Sequence, residues 1–393
     1  MKKVFFVLEV MLALVLIIMT LSGIGTMKPP ASVVTTAFRM PYQFTVKYIT
    51  LIIGGGVLIY LLYSIFVKKT FEISALFMML VFVLIMVCGI GYQVRIASAK
   101  TLISGEDWSN YKVLNENSGK KGTTEDLSSE AGMEQCLVSL PEGGNTPEVC
   151  IIHLNYGGWQ SQDEKANGWM KELAMERGYG YVQLAGRGCN EVDITDMVKD
   201  VYEGVSWIKH KYGFKKVFLS GESAGGSIAL ISAFSKNCAD GVIALYPISD
   251  PAGAYKYYVL DNPTETIMDI AGNKLYSSLY KGTTGTLSGE TKVLMDKVFG
   301  EYDSSENKYK SADILSLVKD QDIPVIIVQG QLDSMVCVED NRNFYESMKN
   351  QEKNISYLEL PGLDHAFDLM EGTEQLKKTK KVLTQWLGYF SEE

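Results

Sequence analysis

The amino-acid sequence predicts an α/β fold, a mostly parallel sheet with helices on both faces, preceded by three membrane-spanning helices. Strand-like and helical patterns alternate over residues 133–393, and three long apolar runs occupy residues 1–100. Alternation favours a parallel sheet because each crossover packs a helix against a sheet face. The predicted strands are 135–140, 149–154, 179–184, 216–220, 242–246, 325–329 and 355–360. The clearest predicted helices are 193–212, 338–349 and 374–389.

Charge divides the chain near residue 100. Residues 1–100 hold nine Lys and Arg against two acidic residues, a net charge of +7, whereas the rest carries −16, giving −9 for the whole chain. Such asymmetry is typical of a chain that meets a membrane or a nucleic acid. The apolar composition of the basic part favours a membrane, and the acidic part offers no electrostatic footprint for nucleic acid.

The three apolar runs are residues 4–24, 48–67 and 73–96. Each has about 20 residues or more, enough to cross a hydrocarbon core about 30 Å thick. The first run follows Lys2-Lys3, as in a secretory signal, but it is long for a signal and lacks a clear cleavage site, so we expect a retained helix. The sequence thus predicts a multi-pass membrane region over 1–100, a juxtamembrane linker over 101–132 and a globular domain over 133–393.

The basic residues of the two connecting loops disagree about orientation. Lys68-Lys69 lie in the short loop between the second and third runs, which favours a cytoplasmic loop and an extracytoplasmic globular domain. Lys28, Arg39 and Lys47 in the first loop favour the reverse. We expect the extracytoplasmic placement.

Cysteine spacing indicates neither a zinc site nor a redox motif. Cys88 lies in the third apolar run, and five more cysteines follow in the globular part. We expect buried free thiols, with a Cys136–Cys150 disulfide as the alternative. No metal or cofactor is indicated.

The sequence GESAG, residues 221–225, lies between the predicted strand 216–220 and an apolar helical segment that begins at Gly226. Strand, G-x-S-x-G and helix in this order are typical of a nucleophile elbow, a tight turn that raises the serine hydroxyl above the sheet. Small residues beside the serine keep this turn free of clashes. The pattern therefore predicts Ser223 as a nucleophile and the backbone N–H of Ala224 as a donor to an oxyanion.

A serine hydroxyl needs a base, usually a histidine oriented by a carboxylate. Among the three histidines, His153 lies inside an apolar strand and His210 lies near the end of a helix, where we expect a surface position. His365 instead follows the strand 355–360, which suits a catalytic base.

Asp333 follows another predicted strand, 325–329, so Ser223, Asp333 and His365 all lie after strands, where open parallel sheets place their sites. Their order along the chain is Ser, Asp, His, as in α/β-hydrolases. Asp364 is an alternative orienting acid, which we favour less because adjacent side chains rarely face one another.

The remaining oxyanion donors are predicted in the loop after the strand 149–154. Gly157 and Gly158 lie there, in the sequence NYGGW, residues 155–159. Glycines let the backbone approach a substrate carbonyl and direct two N–H groups at it. A plain Gly-Gly turn is the alternative.

These segments together resemble the hormone-sensitive-lipase-like esterases and the bacterial carbohydrate-esterase relatives of that group, within the α/β-hydrolase superfamily. The resemblance covers residues 134–390 and rests on residues 149–165, on the elbow GESAGG at 221–226, on the Asp333 segment and on DHAF at 364–367. Family members usually have His-Gly-Gly-Gly-Trp where this chain has NYGGW, and the two matching glycines are Gly157 and Gly158. The resemblance implies an α/β-hydrolase fold and serine-dependent ester hydrolysis.

The sequence thus predicts a membrane-anchored serine hydrolase of carboxylic esters, acting on a small-molecule, glycan or lipid substrate. Residues 252–318, rich in Tyr, Gly and Thr, interrupt the alternation and are predicted to cap the site. The alternatives are a peptidase related to prolyl oligopeptidases, an acyltransferase that uses the same acyl-enzyme, and a non-catalytic binding module on a hydrolase fold.

Overall fold

The computed structural model describes residues 122–143, 146–162, 168–261, 287–318, 321–333, 335–369 and 373–392. It also describes Ile103, Ser104, Trp108 and six helical residues between positions 56 and 83. Apart from those six, the predicted membrane spans 4–24, 48–67 and 73–96 lie outside the described residues. Among the residues that the structure describes, no helix combines the length and the apolar character needed to cross a membrane.

Nine of the described strands form one mixed sheet, and two form a small hairpin beside it. The strands are β1 (Ile103–Ser104), β2 (Gly122–Asp126), β3 (Gln135–Pro141), β4 (Val149–Leu154), β5 (Tyr156–Gly157), β6 (Gln160–Ser161), β7 (Gly180–Ala185), β8 (Lys216–Glu222), β9 (Gly241–Leu245), β10 (Val325–Gly330) and β11 (Ile355–Leu360). The sheet order is β1-β11-β10-β9-β8-β4-β7-β3-β2, and β5 pairs with β6.

The helices complete the alternation. They are α1 (Ser128–Ala131), α2 (Gly168–Arg177), α3 (Ile194–Tyr212), α4 (Ala224–Lys236), α5 (Pro251–Tyr255), which continues as a π-helix (Lys256–Asp261), α6 (Leu287–Phe299), α7 (Ile314–Leu317), α8 (Val338–Asn350), a 3₁₀ turn (Phe367–Leu369) and α9 (Glu374–Glu392).

The centre of the sheet is parallel and buried on both faces. Six strands, β7, β4, β8, β9, β10 and β11, pair in parallel, whereas β1, β2 and β3 pair antiparallel at the two sides. In β4, Ile152 and Leu154 belong to one apolar core and Ile151 belongs to the other. Successive strand side chains point to opposite faces, so a continuous apolar run is what a strand covered on both sides requires.

Different helices pack against the two faces of the sheet and contribute to the two cores. The first contains residues of α3, α4 and α8, and the second contains residues of α2 and α9. The helix α3 is capped at its start by Asp193, whose carboxylate accepts the N–H groups of Thr195 and Asp196, and at its end by Gly213 with φ 71°. Such caps satisfy backbone groups that the helix leaves unpaired at its ends.

The mostly parallel α/β fold is confirmed, and all seven predicted strands occur within a residue or two of their expected bounds. The structure differs in the segment 101–132, expected to be a linker, because β1 and β2 lie in it and form the two edges of the sheet. β2 is the polar sequence GTTED, largely exposed. An edge strand of this kind has no apolar side to bury, so no apolar pattern marks it.

The cysteines in the described part of the chain are free thiols. Cys136 and Cys150 are both buried and unbridged. They lie on β3 and β4, which the intervening strand β7 separates. Burial raises the pKa of the Cys136 thiol to about 12, which keeps it protonated and unreactive.

The insertion between β9 and β10, predicted to form a cap at 252–318, is described over 251–261 and 287–318. Its π-helix meets the loop after β10 where the Tyr258 hydroxyl donates to the Met335 carbonyl at 2.7 Å. Phe299 of α6 packs edge-on against Trp159, with ring centroids 5.2 Å apart. Both contacts are made to loops that follow the carboxyl ends of sheet strands.

Candidate active site

Ser223 occupies the sharp turn between β8 and α4. Its backbone has φ 52° and ψ −122°, a conformation that few non-glycine residues adopt. The turn is held by the Ser223 N–H, which donates to the Leu245 carbonyl at 2.9 Å, and by the Ser223 carbonyl, which accepts from the Ser227 N–H at 3.1 Å. This is the geometry of a nucleophile elbow, as the sequence predicted.

The glycines around Ser223 allow the backbone to pack closely. A Cβ at Gly221 would lie 2.5 Å from the Gly225 carbonyl carbon, and one at Gly225 would lie 2.4 Å from the Leu154 carbonyl oxygen. The start of α4 therefore contacts the end of β4, where the loop with Gly157 and Gly158 begins.

The structure brings Ser223, His365 and Asp333 into one hydrogen-bonded row. His365 Nε2 lies 3.2 Å from Ser223 Oγ. On the other side of the ring, Nδ1 lies 2.9 Å from Asp333 Oδ2 and 3.1 Å from Oδ1. A neutral imidazole that carries its proton on Nδ1 satisfies both contacts and leaves Nε2 to accept the serine proton.

Asp333 is buried, and its carboxylate is oriented by fixed donors. Oδ1 accepts the N–H groups of Met335 at 2.9 Å and Val336 at 2.8 Å, and Oδ2 accepts Gln329 Nε2 at 2.9 Å. Gln329 is in turn held by Asn341 Nδ2, which donates to its Oε1 at 2.7 Å. The sequence analysis missed Gln329 and Asn341. A glutamine at the end of an otherwise apolar strand could have indicated a side chain that holds the catalytic carboxylate in place.

The alternative acid, Asp364, serves a different purpose. Its Oδ1 accepts the backbone N–H of His365 at 2.8 Å, so it bonds the main chain of the histidine, while Asp333 bonds the ring. Asp364 is fully buried. The geometry therefore favours Asp333 as the carboxylate that orients the imidazole.

His365 has its pKa raised above the ordinary histidine value. Burial alone would lower the pKa, because it penalises the charged ring. The charge and hydrogen bond of Asp333, together with the charges of Asp364 and Asp368, outweigh burial and raise the pKa. The surroundings of His365 thus favour the protonated imidazolium form of its ring.

The predicted oxyanion loop is a tight hairpin formed by β5 and β6. Gly157 pairs with Gln160, and the two turn residues, Gly158 and Trp159, have φ 57° and 64°. Trp159 is buried, and its carbonyl accepts the Cys189 N–H at 2.8 Å. β5 begins two residues after Leu154, whose carbonyl oxygen would lie 2.4 Å from a Cβ at Gly225, so the hairpin directly follows the end of β4 that faces the elbow. Ala224 is the first residue of α4, where N–H groups lack a partner within the helix.

Two residues that depart from the usual family loop anchor this hairpin. Asn155 Nδ2 donates to Gln135 Oε1 at 2.9 Å and to the Gln162 carbonyl at 3.0 Å. The Tyr156 hydroxyl accepts the Gly186 N–H at 2.6 Å. They hold the loop to β3 and to the segment after β7.

The other two histidines lie where the sequence predicted. His153 is fully buried in β4, with Nδ1 2.9 Å from Ser220 Oγ and Nε2 3.6 Å from Glu222 Oε1. His210 is exposed in the last turn of α3. The hydrogen-bonded row is formed by Ser223, His365 and Asp333. Within the part of the chain that the structure describes, no group of His, Cys, Asp and Glu is arranged to hold a metal ion.

A central parallel sheet, a strand–serine–helix elbow and a Ser-His-Asp row define the α/β-hydrolase class. Within that class the chain belongs to the BD-FAE family, whose model matches residues 137–348, more than half of the chain.

Curated relatives include two esterases of Mycobacterium tuberculosis. Esterase LipQ is 24% identical over 200 residues, which cover 49% of this chain and 43% of LipQ. Esterase LipC is 24% identical over 181 residues, which cover 44% of this chain and 42% of LipC. This chain thus aligns with less than half the length of each.

Solved structures of similar fold include esterase B from Lactobacillus rhamnosis, with a TM-score of 0.54 at 17% identity, covering 72% of this chain and 89% of the esterase. The same esterase, inhibited by a tributyrin phosphonate, gives a TM-score of 0.53. A hormone-sensitive lipase from a metagenome library gives 0.50 at 14% identity, covering 69% of this chain and 86% of the lipase. At these identities the likeness concerns the fold.

Proposed function

We propose that this chain is a membrane-anchored serine hydrolase that cleaves carboxylic esters. The observation that carries the proposal is the row Ser223–His365–Asp333, with 3.2 Å between serine Oγ and the histidine and 2.9 Å between the histidine and the aspartate. The family membership and the esterase relatives support ester hydrolysis over other reactions of the fold.

The chemistry begins with Ser223. His365 Nε2 removes the hydroxyl proton as serine Oγ attacks the ester carbonyl, and Asp333 stabilises the imidazolium. The N–H groups of Gly157, Gly158 and Ala224 bind the oxyanion of the tetrahedral intermediate. The imidazolium then gives its proton to the leaving alcohol. A water molecule, activated by His365, attacks the acyl-enzyme and releases the carboxylic acid.

The membrane part of the proposal rests on the sequence. The three apolar runs 4–24, 48–67 and 73–96 would anchor the chain, with the hydrolase domain outside the cytoplasm. In that position the domain would meet ester groups of extracytoplasmic small molecules, glycans or lipids.

The activity is tested with p-nitrophenyl acetate, butyrate and decanoate, using the full chain in detergent beside its Ser223→Ala variant. We expect turnover that the substitution lowers by about 10⁴-fold or more. The acyl-chain length that the enzyme prefers then shows whether its substrates are short-acyl esters or lipids. Equal turnover by both proteins would disprove the proposal. Faster cleavage of dipeptidyl amides than of esters would favour the peptidase alternative.

A further inference from the structure

Tyr246 lies between the His365 ring and a buried carboxyl group that has no part in the chemistry above. Its ring meets the imidazole edge-on, with centroids 4.5 Å apart. Its hydroxyl donates a hydrogen bond to Asp368 Oδ1. Tyr246 is 3% exposed and Asp368 is 1% exposed. The imidazole is therefore held at its nitrogens by Ser223 and Asp333, and at its side by a tyrosine that Asp368 anchors.

The backbone of Tyr246 is in a conformation that needs such support. Tyr246 directly follows β9 and has φ 38°, a value unusual for a bulky residue. Backbone strain of this kind persists only where the surroundings hold it. The Tyr246 N–H donates to the Val328 carbonyl at 2.7 Å, and the Phe367 ring packs against the tyrosine ring at 5.3 Å. Together with Asp368, these contacts keep the tyrosine ring against His365.

Several charged or polar groups face the Asp368 carboxyl. Glu222 approaches from β8 and Trp169 from α2, while Tyr246 lies at the end of β9. Burial, followed by the charge of Glu222, raises the pKa of Asp368 to about 7, against the lowering effect of the hydrogen bond from Tyr246. Glu222 also faces His153 of β4 at 3.6 Å. Asp368 therefore gains or loses its charge near neutral pH.

We propose that Asp368 is a positioning residue that, through Tyr246, holds the His365 ring in line with Ser223 and Asp333. This inference rests on the proposed function of the same site. Asp368 is only three residues from His365, and its negative charge favours the protonated imidazole, as do the charges of Asp333 and Asp364. A change at Asp368 should therefore alter both the placement and the titration of the histidine.

Two substitutions test the charge of Asp368 and its hydrogen bond with Tyr246. Asp368→Asn keeps an oxygen that accepts the Tyr246 hydroxyl but removes the charge, so the pKa of His365 should fall. Tyr246→Phe keeps the ring but removes the hydrogen bond that favours ionised Asp368. More of Asp368 is then neutral, so the pKa of His365 should fall here too, and kcat should fall by about tenfold or more with little change in KM.

The decisive measurement is an NMR titration of the full chain in detergent, labelled with ¹³C at histidine Cε1. The chain has three histidines, and the His365 signal is the one missing from His365→Gln. We expect a lower titration midpoint in both Asp368→Asn and Tyr246→Phe, and an unchanged midpoint in Glu346→Gln, which removes an exposed carboxylate from α8. Circular dichroism checks that each variant is folded.

The titration is read without substrate, so it is independent of the activity assay. If wild-type turnover depends on Ser223 but the His365 midpoint is unchanged in both folded variants, this inference is wrong and the proposed function stands. If the midpoint falls while no ester is cleaved, Asp368 acts on His365 but the proposed function fails. If Asp368→Asn does not fold, Tyr246→Phe alone decides by the same criterion.

Discussion

At the scale of single residues, the site depends on backbone strain as well as on side chains. Ser223 at φ 52° and Tyr246 at φ 38° are both non-glycine residues in the left-handed region. Each such residue costs about 1–3 kcal/mol, and residues of this kind cluster at functional sites, where the surrounding structure holds them in place. At Ser223 it raises the hydroxyl toward His365, and at Tyr246 it brings a ring against the same histidine.

The raised pKa of His365 sets the pH dependence of turnover. Only the neutral imidazole can accept the serine proton, so kcat/KM should rise with pH through the pKa of His365. Because the nearby carboxylates of Asp333, Asp364 and Asp368 together outweigh burial, the midpoint should lie above the ordinary value of about 6.5. Initial rates from pH 5 to 9 measure it. A midpoint below 6.5 would contradict this electrostatic account.

Asp333→Asn should lower both the rate and that midpoint. The substitution removes the charge that raises the pKa of His365. It also disturbs the tautomer that directs Nε2 at serine, so kcat should fall by about 10⁴-fold. The matched control is Asp364→Asn, because Asp364 Oδ1 accepts the backbone N–H of His365, whereas the His365 ring faces Asp333. A larger loss of kcat in Asp364→Asn would instead make Asp364 the orienting acid.

The histidines provide a second matched pair. His365→Gln should abolish Ser223-dependent turnover by about 10⁴-fold or more. His210→Gln, on the exposed face of α3, should leave kcat and KM unchanged. Comparable losses in the two variants would indicate an effect on folding and would remove His365 from its assigned role.

At the scale of elements, the elbow depends on the close contact between α4 and β4. Gly225→Ala would place a Cβ 2.4 Å from the Leu154 carbonyl oxygen, a rigid backbone atom. Overpacking of this kind costs about 1–3 kcal/mol. Gly213→Ala is the control, because φ 71° strains it while nothing lies within 4 Å of its Cβ. Thermal unfolding should show a larger loss for Gly225→Ala, together with lost activity that the control retains.

The elements that sequence patterns predicted are those with a periodic or apolar signal. The central strands are continuous apolar runs because both sheet faces are covered, and α3 has a clear capping residue in Asp193. β1 escaped prediction because a strand of two residues is too short to form a pattern. β2 escaped prediction because its five residues are mostly exposed and have no apolar side to bury. The helix after the elbow begins at Ala224, two residues earlier than its apolar pattern indicated.

The site was predictable only in part, for a similar reason. Ser223, Asp333 and His365 follow strands and lie in recognisable local patterns. The Tyr246–Asp368 hydrogen bond joins residues 122 positions apart, and the Gln329–Asn341 bond depends on how α8 packs on β10. Such partners are chosen by tertiary contacts, which spacing along one chain does not reveal.

At the scale of the whole molecule, we expect the first 100 residues, with a net charge of +7, to anchor a domain that is strongly acidic. The full chain should remain in the membrane pellet after alkaline carbonate extraction. Protease added to the outside of intact cells or spheroplasts should digest the hydrolase domain. Release by carbonate would contradict the anchor, and digestion only after permeabilisation would reverse the orientation.

The measurement that tests the central claim most directly is covalent trapping of the nucleophile. A fluorophosphonate probe reacts with an activated serine whatever the natural ester is, so it does not depend on substrate choice. With the folded full chain, we predict a single adduct on the peptide that contains Ser223, absent from Ser223→Ala and strongly reduced in His365→Gln. An unlabelled wild-type chain, or equal labelling of Ser223→Ala, would contradict the assignment of Ser223 as an activated nucleophile.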